Sequence, residues 1–195
     1  MANGALLRWS MPTLINMTLR ILLAAMALAT ALLSGCDPHY NWRDFHSQTG
    51  AYSVLFPAKP EALTRTIQLD GSTVSMTMEG VEIDGISFTV GSVEMADAVQ
   101  AEAALGAMRT ALVRNINGTV QTERRASSAR MIGGITQRET SLDLRASGTR
   151  HGAALTLIGH FSARDRRVYQ VIVLGPQRSL PADQVDMFMG SFHAN

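Results

Sequence analysis

Few residues in this chain have types and spacings that could do chemistry. Its 195 residues contain a single thiol, Cys36, together with five histidines. A thiolate is a strong nucleophile toward alkyl and acyl donors, so Cys36 is the residue best suited to covalent modification. A lone cysteine can form neither an internal disulfide nor a cysteine-based metal site. The histidines (His39, His46, His151, His160 and His193) include no helix-face pair of the HExxH kind. None stands at ligand spacing from a carboxylate. His151 and His160 could bracket one strand, but their odd separation would put them on opposite faces of it. A Gly-x-Ser-x-Gly nucleophile elbow is absent, and Ser127-Ser128 reads as a polar turn. Gly133-Gly134 lacks the lysine and helix of a phosphate loop and reads as a bulge or turn. The acidic pair Glu82/Asp84 reads as a solvated strand end. The sequence therefore names no catalytic residue and no metal ligand. An enzyme would need a site dispersed over several strands.

The surroundings of Cys36 are more specific. Ile21 to Leu33 is an apolar run preceded by Arg20 and followed by the small residues Ser34 and Gly35. The run is too short for the roughly 20 residues that span a bilayer, but it suits the apolar stretch of a signal peptide. An uncleaved anchor starting near Pro12 is the alternative. A stop-transfer segment carries basic residues after it, however, and here Asp37-Pro38-His39 follows. Leu33-Ser34-Gly35-Cys36 resembles the lipobox of bacterial lipoproteins. That resemblance implies a diacylglyceryl group on Cys36, cleavage before it, and acylation of the new amino terminus by a fatty acid such as palmitate. Residues 1–35 would then be a signal peptide, with Met17 or Met11 as alternative starts. Residues 36–40 would be a lipidated tether, and 41–195 a single domain held at the membrane on its periplasmic side. Asp37, second in such a mature chain, resembles an inner-membrane retention signal and slightly favours that membrane over the outer one.

About 160 residues follow the leader, enough for one domain with its own core. Their charge is uneven. From Cys36 to Arg109 there are ten acidic and four basic residues, whereas from Thr110 onward there are six acidic residues and eleven arginines. Either the two halves interleave in one sheet and the charges mix, or the second half builds a basic face for anionic lipid or an acidic partner. Nucleic acid is not expected as a partner, since a periplasmic domain does not meet it and no interleaving of aromatic and basic residues occurs.

The elements that must position these groups follow from period and turn residues. Asn41–His46 and Ala51–Phe56 read as short strands joined at Gln48-Thr49-Gly50, with Pro57 and Pro60 ending the second. Thr64–Leu69, Ser72–Val81 and Ile86–Val93 form a meander with Asp-Gly turns. In the middle strand, Val74, Met76 and Met78 share one face, and Thr73, Ser75, Thr77 and Glu79 the other. From Asp97 to Asn117 the period changes: Ala101, Leu105, Met108, Leu112 and Ile116 make one helical stripe, with Asp97 placed to cap it and Asn117-Gly118 to end it. Thr119–Ala126, Ile135–Arg145, Ala153–Ala163 and Val168–Leu174 follow as strands, with turns at Gly133-Gly134, Gly148 and Arg164-Asp165-Arg166. The last two strands are apolar on both faces and so central. Pro181 opens a closing helix whose Val185, Phe188, Met189 and Phe192 point inward.

These elements predict an α+β domain, mostly antiparallel sheet packed by one long helix and a C-terminal helix. Their order resembles the PsbP-like superfamily, which includes small bacterial lipoproteins of the DcrB type. The likeness is carried by Ala51-Tyr52-Ser53-Val54-Leu55-Phe56-Pro57, Gly134-Ile135-Thr136-Gln137-Arg138-Glu139, Arg167-Val168-Tyr169-Gln170-Val171 and Phe188-Met189-Gly190-Ser191-Phe192. It covers most of residues 41–193 and implies a layered sandwich that serves in binding or assembly, with no catalytic residues to carry over and no cofactor beyond the lipid on Cys36. The leading expectation is a lipid-anchored, non-enzymatic periplasmic protein that binds an envelope protein. Its contact face would be built from solvent-exposed Arg124, Arg125, Arg138, Arg145, Arg164, Arg166 and Arg167. The alternative is a carrier of a small apolar ligand, with a pocket between helix 97–117 and the sheet.

Overall fold

The computed structural model describes residues 39–195. Cys36, Asp37 and the apolar run lie outside the described residues. Residues Tyr40–Asn195 form one compact unit. In chain order the elements are β1 (Arg43–Ser47), β2 (Tyr52–Phe56), β3 (Glu61–Leu69), β4 (Ser72–Ile83), β5 (Ile86–Glu94), α1 (Ala98–Asn115), β6 (Thr119–Ile132), β7 (Ile135–Arg150), β8 (Ala153–Arg164), β9 (Arg167–Pro176), α2 (Ala182–Gly190) and β10 (His193–Ala194). They build a seven-stranded sheet in the order β3-β4-β5-β9-β8-β7-β6 and a three-stranded sheet in the order β1-β2-β10. Every pairing is antiparallel. The class is α+β and sheet-dominated, with two helices.

Local chemistry explains most boundaries. Asp70-Gly71, Asp84-Gly85, His151-Gly152 and Gly133-Gly134 all take positive φ and close two-residue hairpins, the backbone that matches strand twist. Asp97 caps α1 by accepting the Gln100 N–H at 2.8 Å. At the other end Asn117 adopts φ 47. Its N–H bonds Arg114 O at 3.0 Å and the Gly118 N–H bonds Val113 O at 2.8 Å, the paired bonds of a Schellman motif.

Two apolar clusters sandwich the large sheet. On one face Ala101, Ala104, Leu105 and Met108 of α1 join Leu142, Leu144, Leu157, Phe161, Val168 and Ile172. On the other, Tyr52, Val54 and Phe56 of β2 and Val185 and Phe188 of α2 join Ile86, Phe88, Val90, Tyr169, Val171 and Val173. The small sheet and α2 are tied together: Leu55 N–H donates to Ser191 Oγ at 2.9 Å, and Trp42 Nε1–H donates to Gln184 Oε1 at 3.1 Å.

Several expectations are corrected. Ser127-Ser128 is no turn. It lies inside β6, opposite Thr140 and Glu139, because the hairpin runs on to Gly133-Gly134. Gly148 lies inside β7 opposite Leu155, and the turn falls at His151-Gly152. A Cβ on Gly148 would come within 2.2 Å of Ile116 O, so this glycine lets the end of α1 touch the strand. His151 sits in that turn, off the strand it was expected to bracket. In β4, Met78 is exposed while Glu79 is buried, reversing the burial expected from their polarity. Strand β10 has no sequence signal of its own and exists by pairing with β2.

The charged halves do not interleave. Strands β3, β4 and β5 from the acidic half occupy one side of the sheet, and β9, β8, β7 and β6 from the basic half occupy the other.

Candidate functional site

The seven arginines divide into three groups. Side chains alternate between faces along a strand, and residues paired across strands share a face. Arg124 lies opposite Asp143 and Arg145 opposite Ile158, which puts both on the face of the small sheet. Arg125 lies opposite Leu142 and so points to the α1 face, which Arg138 shares beside Val99 and Glu102 of the helix. These four are exposed. Arg124 Nη2 is 3.6 Å from Asp143 Oδ2, which also holds His160 Nδ1 through its other oxygen at 2.8 Å.

The remaining three have partners within the fold, Arg164 and Arg167 half-buried and Arg166 exposed. Arg164 donates to Ala194 O at 2.7 Å and to Glu139 Oε2 at 3.1 Å, fastening β10 to the large sheet. Arg167 donates to Thr49 O at 3.3 Å. Arg166, in the β8–β9 turn, pairs with Glu94 and holds that carboxyl below the usual carboxylate range. One continuous face of seven exposed arginines is therefore corrected to two exposed pairs, back to back on the β6–β7 hairpin, an exposed Arg166 in the β8–β9 turn, and half-buried Arg164 and Arg167 engaged within the fold. Exposed Arg130, between the two pairs and the hairpin tip, belongs with the first group and was missed. From Gln121 to Met131 every residue of β6 is exposed, and β6 is an edge of the sheet.

A second region lies on the α1 face. Beside the last turn of the helix is a groove of about 440 Å³. Leu112 and Ile116 form one wall, Leu157, Ile172 and Leu174 the floor, and Met78 with Ser87 and Thr89 the far side. Arg150, Asn115 and Gln170 complete the lining, so it includes one cation and no carboxylate. This is where the sequence placed an alternative pocket, between helix and sheet.

The third region is buried. Glu79 is 5% exposed, and its carboxylate accepts hydrogen bonds from Tyr52 Oη and, at 3.0 Å, from Ser47 Oγ. Ser47 Oγ in turn accepts the Gly50 N–H at 3.1 Å. Burial first, and then the Glu79 carboxylate, push the Tyr52 phenol far above its ordinary value. Both donors are hydroxyls that stay protonated, so the arrangement is a clasp between β4 and the β1–β2 hairpin.

Among the described residues, no group of three or more His, Cys, Asp or Glu could hold a metal ion. No helix among them is long and apolar enough to cross a membrane.

No family model matches the chain, and no curated protein matches it. Among solved structures it is similar to a protein of unknown function from Pseudomonas aeruginosa. The two are 13% identical over 74% of this chain and 89% of that chain, with a TM-score of 0.32. A likeness at that level carries no argument about fold or role.

Proposed function

We propose that the chain is a lipid-anchored, non-enzymatic binding protein of the bacterial envelope. It is held on the periplasmic side of the membrane through Cys36 and engages an envelope protein through the β6–β7 hairpin. The lipobox resemblance at Leu33-Ser34-Gly35-Cys36 and the retention-like Asp37 support the address, with the inner membrane favoured. The three layers described above are compatible with the PsbP-like sandwich that the order of elements resembles, a scaffold used for binding and assembly.

The observation that carries the binding reading is the exposure of Arg124, Arg125, Arg138 and Arg145 on both faces of an edge hairpin. Exposed cations facing an acidic partner speed encounter and select against other basic surfaces. The test is cross-linking in living cells followed by purification of the tagged protein. Replacing these four arginines by glutamate should abolish recovery of a reproducible envelope protein while leaving the melting temperature unchanged. Recovery unaltered by the four substitutions would refute the proposed face. Arg164, Arg166 and Arg167 are left intact, because each already has a partner within the fold.

A second reading, a carrier of a small apolar ligand, is favoured by the groove beside α1. Its volume lies within the few hundred to one thousand Å³ typical of ligand sites, and Met78, Leu112, Ile116, Leu157, Ile172 and Leu174 give it an apolar side.

A further inference from the structure

The groove beside α1 has features that hydrocarbon burial does not explain. Gln170 is only 6% exposed, lines the groove from the central strand β9, and makes no side-chain hydrogen bond with a described residue. Its amide is not among the buried atoms without a partner, so water reaches it, and whatever displaces that water from the groove must hydrogen-bond it in turn. Bare hydrocarbon lacks such a group.

Arg150 is the second feature. It is the groove's single charged residue, and it forms no ion pair with a described residue. The carbonyls at the end of α1 do not recruit it. Val113 O and Arg114 O accept the Gly118 and Asn117 N–H groups, and Ile116 O accepts the Thr149 N–H at 2.7 Å. Arg150 is exposed, so its guanidinium stands in water at the rim of the groove, free of protein carboxylates among the described residues.

The third feature is the reach of the apolar surface. Met78 is 36% exposed, and its cross-strand partner Leu63 is 50% exposed. The pair continues the groove toward the β3 edge, a length of exposed apolar surface next to polar Thr89 and Ser87.

We propose that this groove binds a single-chain amphiphile with an anionic head. Arg150 meets the head, Gln170 hydrogen-bonds a polar atom of the ligand, and the apolar wall of α1 and β9 takes the chain. The assignment rests on the carrier reading and adds to it the charge of the ligand. Arg150 supplies charge complementarity without repulsion, because no acidic side chain lines the groove.

The experiment uses the full chain in its membrane and two photoreactive probes, a diazirine-bearing hexadecanoic acid and the matching hexadecanol. The acid should label peptides containing Met78, Leu112 or Ile172. The alcohol should label them about fivefold less, the upper range for a partly exposed ion pair. Arg150→Gln should lower labelling by the acid to the level of the alcohol, while Arg130→Gln, on the distant hairpin, should leave it unchanged. Equal melting temperatures of the variants show that the fold is intact. Equal labelling by acid and alcohol, or indifference to Arg150→Gln, would overturn the anionic head and leave the carrier reading standing. Absence of groove labelling by either probe would overturn both. Cross-links between copies through Leu63 and Met78 would assign the surface to self-association instead.

Discussion

At the scale of single residues, Glu79 is the most informative position. A carboxylate removed from water is costly unless hydrogen-bonded, and here two hydroxyls serve it with no cation among the described residues in contact. Tyr52→Phe removes a donor to a charged acceptor, so unfolding by urea should show a loss of about 1.5–3 kcal/mol. A loss below about 0.5 kcal/mol would mean that the clasp is solvated in solution. The two buried tyrosines also give a pH dependence. Burial is the first cause that raises both Tyr52 and Tyr169 above the ordinary value of 10.0. The folded state therefore keeps protons that the unfolded chain releases. This contribution is fully present below about pH 10 and is lost as the pH rises beyond it. Melting temperature followed from pH 8 to 11 should fall above pH 10, and less steeply in the Tyr52→Phe variant. None of this was legible in strand alternation, which correctly placed Glu79 opposite Met78. The cover over Glu79 comes from Ser47 and Tyr52, about thirty residues upstream, a contact that no local pattern encodes.

At the scale of elements, legibility followed locality. The meander, α1 and its caps, and the central strands β8 and β9 were readable because their signals are turn residues and apolar periods inside each segment. The β6–β7 hairpin was read short for the opposite reason. Thr122 to Arg130 shows no alternation, since both faces of β6 meet solvent, and a strand without a buried face carries no period to read. Gly148 was misread because glycine serves turns and close approaches alike. Two substitutions separate these roles. Asp97→Ala should cost about 1 kcal/mol through loss of the cap at Gln100. Gly148→Ala should cost about 1–3 kcal/mol, because its methyl group would collide with the Ile116 carbonyl and push α1 off the sheet. Thermal or urea unfolding measures both. A neutral Gly148→Ala would place the α1–β7 contact further apart than the structure has it. The exposed length of β6 also needs explaining, because unpaired strand edges attract other strands. Its arginines and Glu123 are the charges that keep such an edge from stacking on a copy of itself.

At the scale of the whole molecule, the order of strands turns an uneven sequence into a two-sided surface. Within the large sheet, chain halves of opposite charge meet where β5 pairs with β9, and there Glu94 stands opposite Arg167. Beyond that seam the acidic strands run one way and the arginine strands the other. The sequence left open whether the charges mix, and topology alone decided it, since the same strands in an interleaved order would have cancelled. A polarised domain gains most from being held at a surface, where orientation determines which side a partner meets. The proposed anchor is therefore separable from the fold. Tyr40–Asn195 is compact by itself, so Cys36→Ala should leave the melting temperature of the domain unchanged while abolishing incorporation of labelled palmitate and processing by the lipoprotein peptidase. Two or three acyl chains hold a protein firmly, whereas a single chain is marginal at about 0.8 kcal/mol per buried methylene. Fractionation of Cys36→Ala should then show the unprocessed chain in place of the lipidated one, with capture of the partner lost even though every arginine is present. Palmitate labelling that survives Cys36→Ala would disprove the anchor, because Cys36 is the chain's only thiol.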